Sequence, residues 1–142
     1  MSIWTKECQI ILLGMGGSDK LNTKKSRDIG AKCFSNLPDN LGREIVVRFT
    51  TGWNTENMAS FAEGIILRNY KFDKYQEKIV DEKQDKEWSM VCQTTKRNRE
   101  NLDLEIERLS AIATGVHLAR DLGNEPANRL YPEEFGRRAK DW

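Results

Sequence analysis

A glycine-rich stretch, Leu12-Leu13-Gly14-Met15-Gly16-Gly17-Ser18-Asp19-Lys20, is the first place where this sequence offers chemistry. It follows an apolar run and precedes a helix-like segment, the position of a phosphate-binding loop in nucleotide-binding proteins. The Walker A spacing is not met, and the dinucleotide fingerprint requires glycine or alanine where Asp19 stands. A carboxylate there would also repel a pyrophosphate. Gly14, Gly16 and Gly17 are therefore weak candidates for nucleotide binding, and a structural turn is the favoured interpretation.

Metal and acid–base chemistry find little support in the remaining residues. His117 is the only histidine, and no cysteine or second histidine stands at ligand spacing from it, so it is predicted to be a packed or surface residue of a helix. Asp103, Glu105 and Glu107 alternate at a spacing that spreads them around a helix. No serine lies in a nucleophile elbow. We therefore predict no catalytic residue and no metal ligand in this chain.

The three cysteines, Cys8, Cys33 and Cys92, are widely spaced. They match neither an even-numbered disulfide framework nor a metal-binding pair. Because free cysteine is among the most buried residue types, they are predicted to be reduced and mostly buried thiols. Together with the missing signal peptide and the missing long apolar segment, this predicts a cytoplasmic protein that does not enter a membrane.

The composition sets the size and charge of the molecule. The 142 residues suffice for one domain, but a hydrophobic share of 38% against a charged share of 32% is lean for a self-sufficient globular domain. The net charge of +1 creates no overall field that would attract nucleic acid or anionic lipid. Partners that depend on overall charge are thus disfavoured.

Hydrophobic patterning predicts alternating strands and helices. Short apolar or β-branched runs at 9–13, 44–50 and 88–93 are typical of strands, the last with two unequal faces and suited to a sheet edge. Apolar residues at helical spacing predict helices over 23–37, 55–69 and 98–122, and Pro132 followed by two glutamates predicts the start of another. The charged run at 78–87 is typical of a solvated loop. The predicted fold class is α/β, a mostly parallel sheet with flanking helices.

Two longer blocks carry a family resemblance. Residues 61–75, FAEGIILRNYKFDKY, and residues 119–135, ARDLGNEPANRLYPEEF, resemble the leucyl aminopeptidase (cytosol aminopeptidase) family. The second block is similar to the junction between the N-terminal and catalytic domains of that family. The residues that carry this junction motif are Asn124, Pro126, Ala127, Asn128 and Pro132.

The resemblance implies a non-catalytic segment of a larger enzyme. Residues 1–122 would form part of a macrodomain-like N-terminal domain, and 123–142 would lead into a catalytic domain that this sequence does not contain. In the resembled family that catalytic domain holds two divalent metals, zinc or manganese, and releases N-terminal amino acids from peptides. Glu63 of Ala62-Glu63-Gly64 matches the family's metal motif by three letters only, so it is not carried over as a ligand. The family junction has threonine where this chain has Tyr131, which leaves the next helix without that hydroxyl cap.

The resemblance also implies partners, and two alternative functions stay open. The chain is expected to begin and end inside the family sequence, to associate with itself or with the parent's catalytic domain, and to contribute to a hexamer. One alternative is a stand-alone macrodomain-like module that binds a nucleotide or ADP-ribose through Gly14–Lys20. A second is nucleic-acid binding through Lys24, Lys25, Arg27 and the cluster at 96–99, which the near-neutral net charge argues against.

Overall fold

A computed structural model describes residues 2–4, 9–37, 44–50, 52–75, 89–93 and 96–140. Its elements in chain order are β1 (Ser2–Trp4), β2 (Gln9–Ile11), α1 (Thr23–Ser35), β3 (Glu44–Arg48), α2 (Thr55–Arg68), β4 (Ser89–Gln93), α3 (Lys96–Asn124) and α4 (Pro132–Ala139). A single 3₁₀ turn, Ser18–Lys20, lies between β2 and α1. The expected α/β alternation is confirmed. The expected loop at 78–87, Trp88 and Cys8 lie outside the described residues.

The described strands form two small sheets. β3 and β4 pair in parallel, with Val46 opposite Val91 and Val47 opposite Cys92. This is the pairing expected of strands joined through a helix, here α2. β1 pairs with β2 in antiparallel fashion. The sequence did not predict β1, because a strand of three residues is too short to show a period. On β4 the side chains alternate as expected, with Met90 and Cys92 half-buried between exposed neighbours.

Helix α2 lies at the centre of the described structure, packed between α1 and α3. Every residue from Asn57 to Ile65 is buried, including the polar Asn57, Ser60 and Glu63. The sequence pattern predicted an apolar stripe on this helix, whereas the structure also buries its polar side. The second packed helix, α1, covers that polar side, because small residues on both helices let their backbones approach.

The contact between α1 and α2 is exceptionally close at two glycines. A Cβ atom built on Gly30 would lie 2.0 Å from the carbonyl oxygen of Phe61, and one built on Gly64 would lie 2.1 Å from that of Arg27. Ser26, fully buried in α1, belongs to the same small-residue face. No larger side chain fits at these positions without separating the helices.

The hydrophobic core lies on the other side of α2. Met58 and Ala59 pack against Leu102 and Leu109 of α3, and half-buried side chains surround this cluster: Phe49, Trp53, Cys92 and Ile106. The rings of Phe49, Trp53 and Phe61 contact one another with centroids 4.8 to 5.8 Å apart. The predicted apolar stripe of α3 is therefore the face that covers the core.

α1 and α2 each begin at an asparagine N-cap. Asn22 Oδ1 accepts from the Lys25 backbone N–H at 2.9 Å, and Asn54 Oδ1 accepts from that of Asn57 at 2.8 Å. α4 begins at Pro132, and Tyr131 at its N-cap makes no side-chain cap, as the departure from threonine implied. No helix in the described part of the chain has the length and apolar character required to cross a bilayer.

Candidate functional site

The site with the densest polar contacts is centred on Glu125, one residue beyond the end of α3. Its carboxylate accepts from Lys74 Nζ at 2.5 Å, from the Tyr75 hydroxyl, and from Arg138 Nη1 at 3.0 Å. Only 2% of the Glu125 side chain is exposed. The three donors come from the loop after α2 and from α4, so a single carboxylate joins three parts of the chain. We call Lys74, Tyr75, Glu125 and Arg138 the junction cluster.

Glu134 extends the junction cluster along α4. Arg138 Nε donates to Glu134 Oε1 at 2.8 Å while its Nη1 donates to Glu125. Arg137 also pairs with Glu134, at 2.8 Å. Arg138 thus contacts one carboxylate within α4, Glu134, and one outside it, Glu125, and the second contact attaches α4 to the end of α3.

These contacts perturb the acidities of both carboxylates. The hydrogen bond from Lys74, followed by that from Tyr75, lowers the pKa of Glu125 to about 2. The bonds from Arg137 and Arg138 lower the pKa of Glu134 to about 2. Both side chains therefore stay ionised well below the ordinary range of a glutamate.

A second layer of contacts surrounds Tyr70. Its hydroxyl donates to Asp121 at 2.7 Å and accepts from Asn124 Nδ2 at 3.2 Å. Arg120 lies over the Tyr70 ring, 5.4 Å from its centroid, and donates to the Leu67 carbonyl near the end of α2 at 2.8 Å. The last two turns of α3 are therefore attached to the end of α2 and to the loop that follows.

The predicted junction-motif residues lie around this cluster. Asn124 contacts Tyr70 as described above, and the Pro126 carbonyl accepts from the backbone N–H groups of Arg129 and Leu130 in the turn between α3 and α4. Pro132 is the first residue of α4. Ala127 and Asn128 are exposed in the turn. Motif residues therefore form the turn between α3 and α4, whereas the side chains that contact Glu125 beside this turn are not part of the motif.

The glycine-rich loop, residues 12–20, lies between β2 and α1 and is not part of the junction cluster. Gly16 has a φ of 77°, a conformation that favours glycine, and Lys25 Nζ lies 3.6 Å from where its Cβ would be. The Asp19 carboxylate folds back onto Gly17, since a Cβ there would be 2.4 Å from its Oδ1. Trp53 Nε1 donates to Met15 Sδ at 3.0 Å, which ties the loop to the start of α2. A turn with a carboxylate over it is a poor phosphate cradle.

The remaining predicted chemistry residues are dispersed. His117 is half-buried against the Tyr70 ring, 5.2 Å between centroids, and among the described residues its buried Nε2 atom has no hydrogen-bond partner. Cys33 and Cys92 are free thiols, half-buried rather than fully buried, and burial raises the pKa of each. Within the described ranges no three His, Cys, Asp or Glu side chains are grouped so that they could hold a metal ion. These residues do not fit a two-metal centre.

Comparison with known protein families shows the family of this chain. The model of the N-terminal domain of the cytosol aminopeptidase family matches residues 5–79, more than half of the chain. The chain belongs to the cytosol aminopeptidase family. The resemblance inferred from residues 61–75 and 119–135 is thereby confirmed.

Relatives within the family extend the match to nearly the whole chain. A probable cytosol aminopeptidase of Rhizobium etli is 34% identical over 135 residues, and one of Clostridium perfringens is 30% identical over 138. These alignments cover 94% and 93% of this chain, but 27% of each relative. The chain thus spans about a quarter of the length of the family members it matches.

Solved structures show the same fold. The chain superposes on the bottromycin maturation enzyme BotP with a TM-score of 0.79 at 20% identity, over 99% of this chain and 30% of BotP. The structure of BotP in complex with Mn matches with a TM-score of 0.77. The expected fold class, α/β and similar to part of a macrodomain-like N-terminal domain, is confirmed.

Sequence reasoning did not find the side chains of the junction cluster. Glu125 and Tyr75 lay inside the two blocks that carry the family resemblance, but Lys74 and Tyr75 are separated from Glu125 by about 50 residues. Arg138 lies outside both blocks, and no pattern in the sequence singled it out. The one signal available was the presence of both blocks in one chain, which did not show that they contact each other.

Proposed function

We propose that this chain is a non-catalytic docking and assembly domain of a leucyl-aminopeptidase-like protein. Residues 1–122 would form the domain itself, and 123–142 would lead toward the catalytic domain. The parent protein would use two divalent metals, zinc or manganese, to release N-terminal amino acids from peptides, and those metals would be held outside this chain. A cytoplasmic location accords with the family name.

The junction cluster is the observation that carries this proposal. A nearly buried carboxylate at the end of α3 holds the loop after α2 on one side and α4 on the other. Arg138 carries this contact from α4 to Glu125, and its intrahelical pair with Glu134 orients the guanidinium group for it. A fixed α4 would orient whatever follows it in a longer protein.

The outer face of α3 supports a docking role. Leu104 and Ile112 are 64% and 46% exposed, on the side of the helix that faces away from the core. Exposed apolar side chains on one helix face are typical of surfaces that pack against another domain. We assign the catalytic domain of the parent as the partner of this face.

A chimaera tests the docking role. This chain would replace the matched N-terminal quarter of the Rhizobium etli relative, and the unaltered relative would be assayed beside it. We expect an assembled, active chimaera, and we expect Ile112→Asp to lower assembly and activity while Thr23→Asp, at an exposed position at the start of α1, does not. A chimaera unaffected by Ile112→Asp would contradict the assigned face.

A hydrolysis assay tests the non-catalytic role separately. The purified chain would be incubated with a leucyl chromogenic substrate and manganese or zinc, and its size would be measured by light scattering on the same sample. We expect no turnover. Metal-dependent turnover that follows the purified chain through sizing would overturn the proposal.

The rival function is binding of ADP-ribose or another nucleotide at Gly14, Gly16 and Gly17. The proximity of the Lys25 ammonium group to Gly16 supports it, and the Asp19 carboxylate over Gly17 opposes it. Calorimetry with ADP-ribose separates the two functions. Heat of binding that is lost in Gly16→Glu and strengthened in Asp19→Asn would favour the rival, and no heat at high ligand concentration would remove it.

A further inference from the structure

A cleft of about 350 Å³ lies beside the junction cluster, between the loop after α2 and the last turns of α3. Its volume is at the lower end of the range for small-molecule sites. Leu118, Asp121, Leu122 and Glu125 line it from α3, at the spacing that places residues on one helix face. Lys71, Phe72, Asp73, Lys74 and Arg138 complete its lining.

The charges in this cleft are balanced, but they are not all used. Three cations and three carboxylates line it, and Lys74 and Arg138 are engaged by Glu125. Within the described ranges, the Lys71 and Asp73 side chains have no ion-pair partner, and the Asp121 carboxylate accepts one hydrogen bond, from the Tyr70 hydroxyl. One cation and two carboxylate groups therefore remain available for a ligand.

The cleft lining also includes apolar side chains. Leu118 is 38% exposed, and Leu122 and Phe72 are half-buried. Three apolar residues and six charged ones line the cleft, which is therefore more polar than most small-molecule sites. A ligand with a single charge would leave either the cation or the carboxylates of the cleft unpaired. A ligand with one positive and one negative group would pair with both.

We propose that this cleft binds a free α-amino acid with an apolar side chain. The ammonium group would pair with Asp73 and Asp121, the carboxylate with Lys71, and the side chain would lie against Leu118, Leu122 and Phe72. The proposal does not depend on the docking role, since its residues belong to the chain alone and it concerns groups that the junction cluster leaves unpaired.

Titration of the intact chain with L-leucine tests the proposal, with backbone amide NMR shifts as the readout. We expect saturable shifts at residues 71–74 and 118–125, with a Kd of about 1 mM, the affinity expected of a ligand with few non-hydrogen atoms. Three analogues each lack one recognised group: 4-methylpentanoate lacks the ammonium, isoamylamine lacks the carboxylate and glycine lacks the apolar side chain. Each is expected to bind at least about tenfold more weakly, since each loses an interaction worth one such factor.

Variants locate the binding in the cleft. Asp73→Asn and Lys71→Met change exposed side chains, so both are expected to fold, and each should weaken L-leucine binding by about tenfold. Asp28→Asn and Lys32→Met make the same exchanges at exposed positions of α1 and should leave binding unchanged.

Three outcomes would overturn the proposal. One is the lack of saturable shifts at the highest soluble concentration of L-leucine. Another is equal binding of L-leucine and isoamylamine, which would show that the carboxylate is not recognised. The last is a set of shifts that lies outside the cleft or that survives both cleft variants.

Discussion

Gly64 of α2 lies so close to Arg27 of α1 that a Cβ atom on the glycine would be 2.1 Å from the arginine carbonyl oxygen. Directly beside this contact, Arg27 Nε donates to Glu63 Oε2 at 2.7 Å. The side chain of Glu63 is 6% exposed and that of Arg27 is 42% exposed, so the pair lies at the rim of the helix contact. Arg27 is therefore engaged within the fold and is a poor member of a nucleic-acid-binding patch.

The close approach predicts a large effect of a single methyl group. Gly64→Ala should lower the free energy of unfolding by roughly 1–3 kcal/mol, because backbone atoms of α1 would have to move to admit the Cβ. Gly115→Ala is the matched control, since nothing lies within 4 Å of its Cβ position in α3. That change should raise stability by about 0.5–1 kcal/mol, the usual gain of alanine over glycine within a helix. Urea denaturation of both variants checks the prediction, and equal stabilities would contradict the close contact.

The junction cluster predicts a loss of stability in acid. The pKa values of Glu125 and Glu134 are about 2 in the folded chain against an ordinary value of 4.5. A carboxyl whose pKa is depressed on folding contributes stability above its unfolded pKa, and the contribution is lost as the pH falls through the folded pKa. The urea midpoint should therefore decrease from about pH 5 toward pH 2.

Glu125→Gln separates the junction cluster from other titrating groups. The variant should be less stable at neutral pH, because Lys74 and Arg138 lose their shared carboxylate, and its stability should depend less steeply on pH between 5 and 2. Glu107→Gln, at an exposed position of α3, should leave the pH dependence unchanged. A Glu125→Gln variant with the same pH dependence as the original chain would show that the cluster does not contribute.

The N-cap of the central helix predicts a moderate effect. Asn54→Ala removes the oxygen that accepts from the Asn57 N–H and should cost about 1 kcal/mol. Asn54→Asp keeps an acceptor at the same place and adds a negative charge near the helix start, so its stability should stay close to that of the original chain. Thermal unfolding of the two variants provides the comparison. A midpoint for Asn54→Asp as low as that for Asn54→Ala would argue against the cap.

The turn at Gly16 predicts strain without a clash. Its φ of 77° is unfavourable for any residue with a Cβ, but the nearest atom to that Cβ is Lys25 Nζ at an ordinary 3.6 Å. Gly16→Ala should therefore cost about 1–2 kcal/mol through the backbone alone. Gly14→Ala has open space and no positive φ, and it should be nearly neutral. Similar denaturation midpoints for the two variants would contradict a strained turn.

Local patterns in the sequence were sufficient for the helices and for every strand except β1. The helices begin at Thr23, Thr55 and Pro132 as predicted, because Asn22, Asn54 and the proline act on residues within one turn. The parallel relationship of β3 and β4 followed from the helix between them. Such features depend on neighbours a few residues apart, which a sequence displays directly.

Contacts over long sequence separations could not be predicted in the same way. The periodicity of α2 indicated one buried stripe, but burial on both sides arises because Gly30 and Gly64 let α1 approach. The segments 61–75 and 119–135 contain Tyr75 and Glu125, but the sequence does not show that these two side chains contact each other. That contact depends on how α2 and α3 pack, which no spacing along the chain records.

The sequence by itself determined the family of this protein, its α/β elements and its helix starts, since each of these is encoded by residue types at short, fixed spacing. Only the tertiary structure decided that Glu125 joins Lys74, Tyr75 and Arg138, that Asp19 covers the glycine-rich loop, and that a charge-balanced cleft lies beside α3. The physical reason is that a side chain's electrostatic environment is set by the groups that packing brings near it, and these groups come from distant parts of the chain.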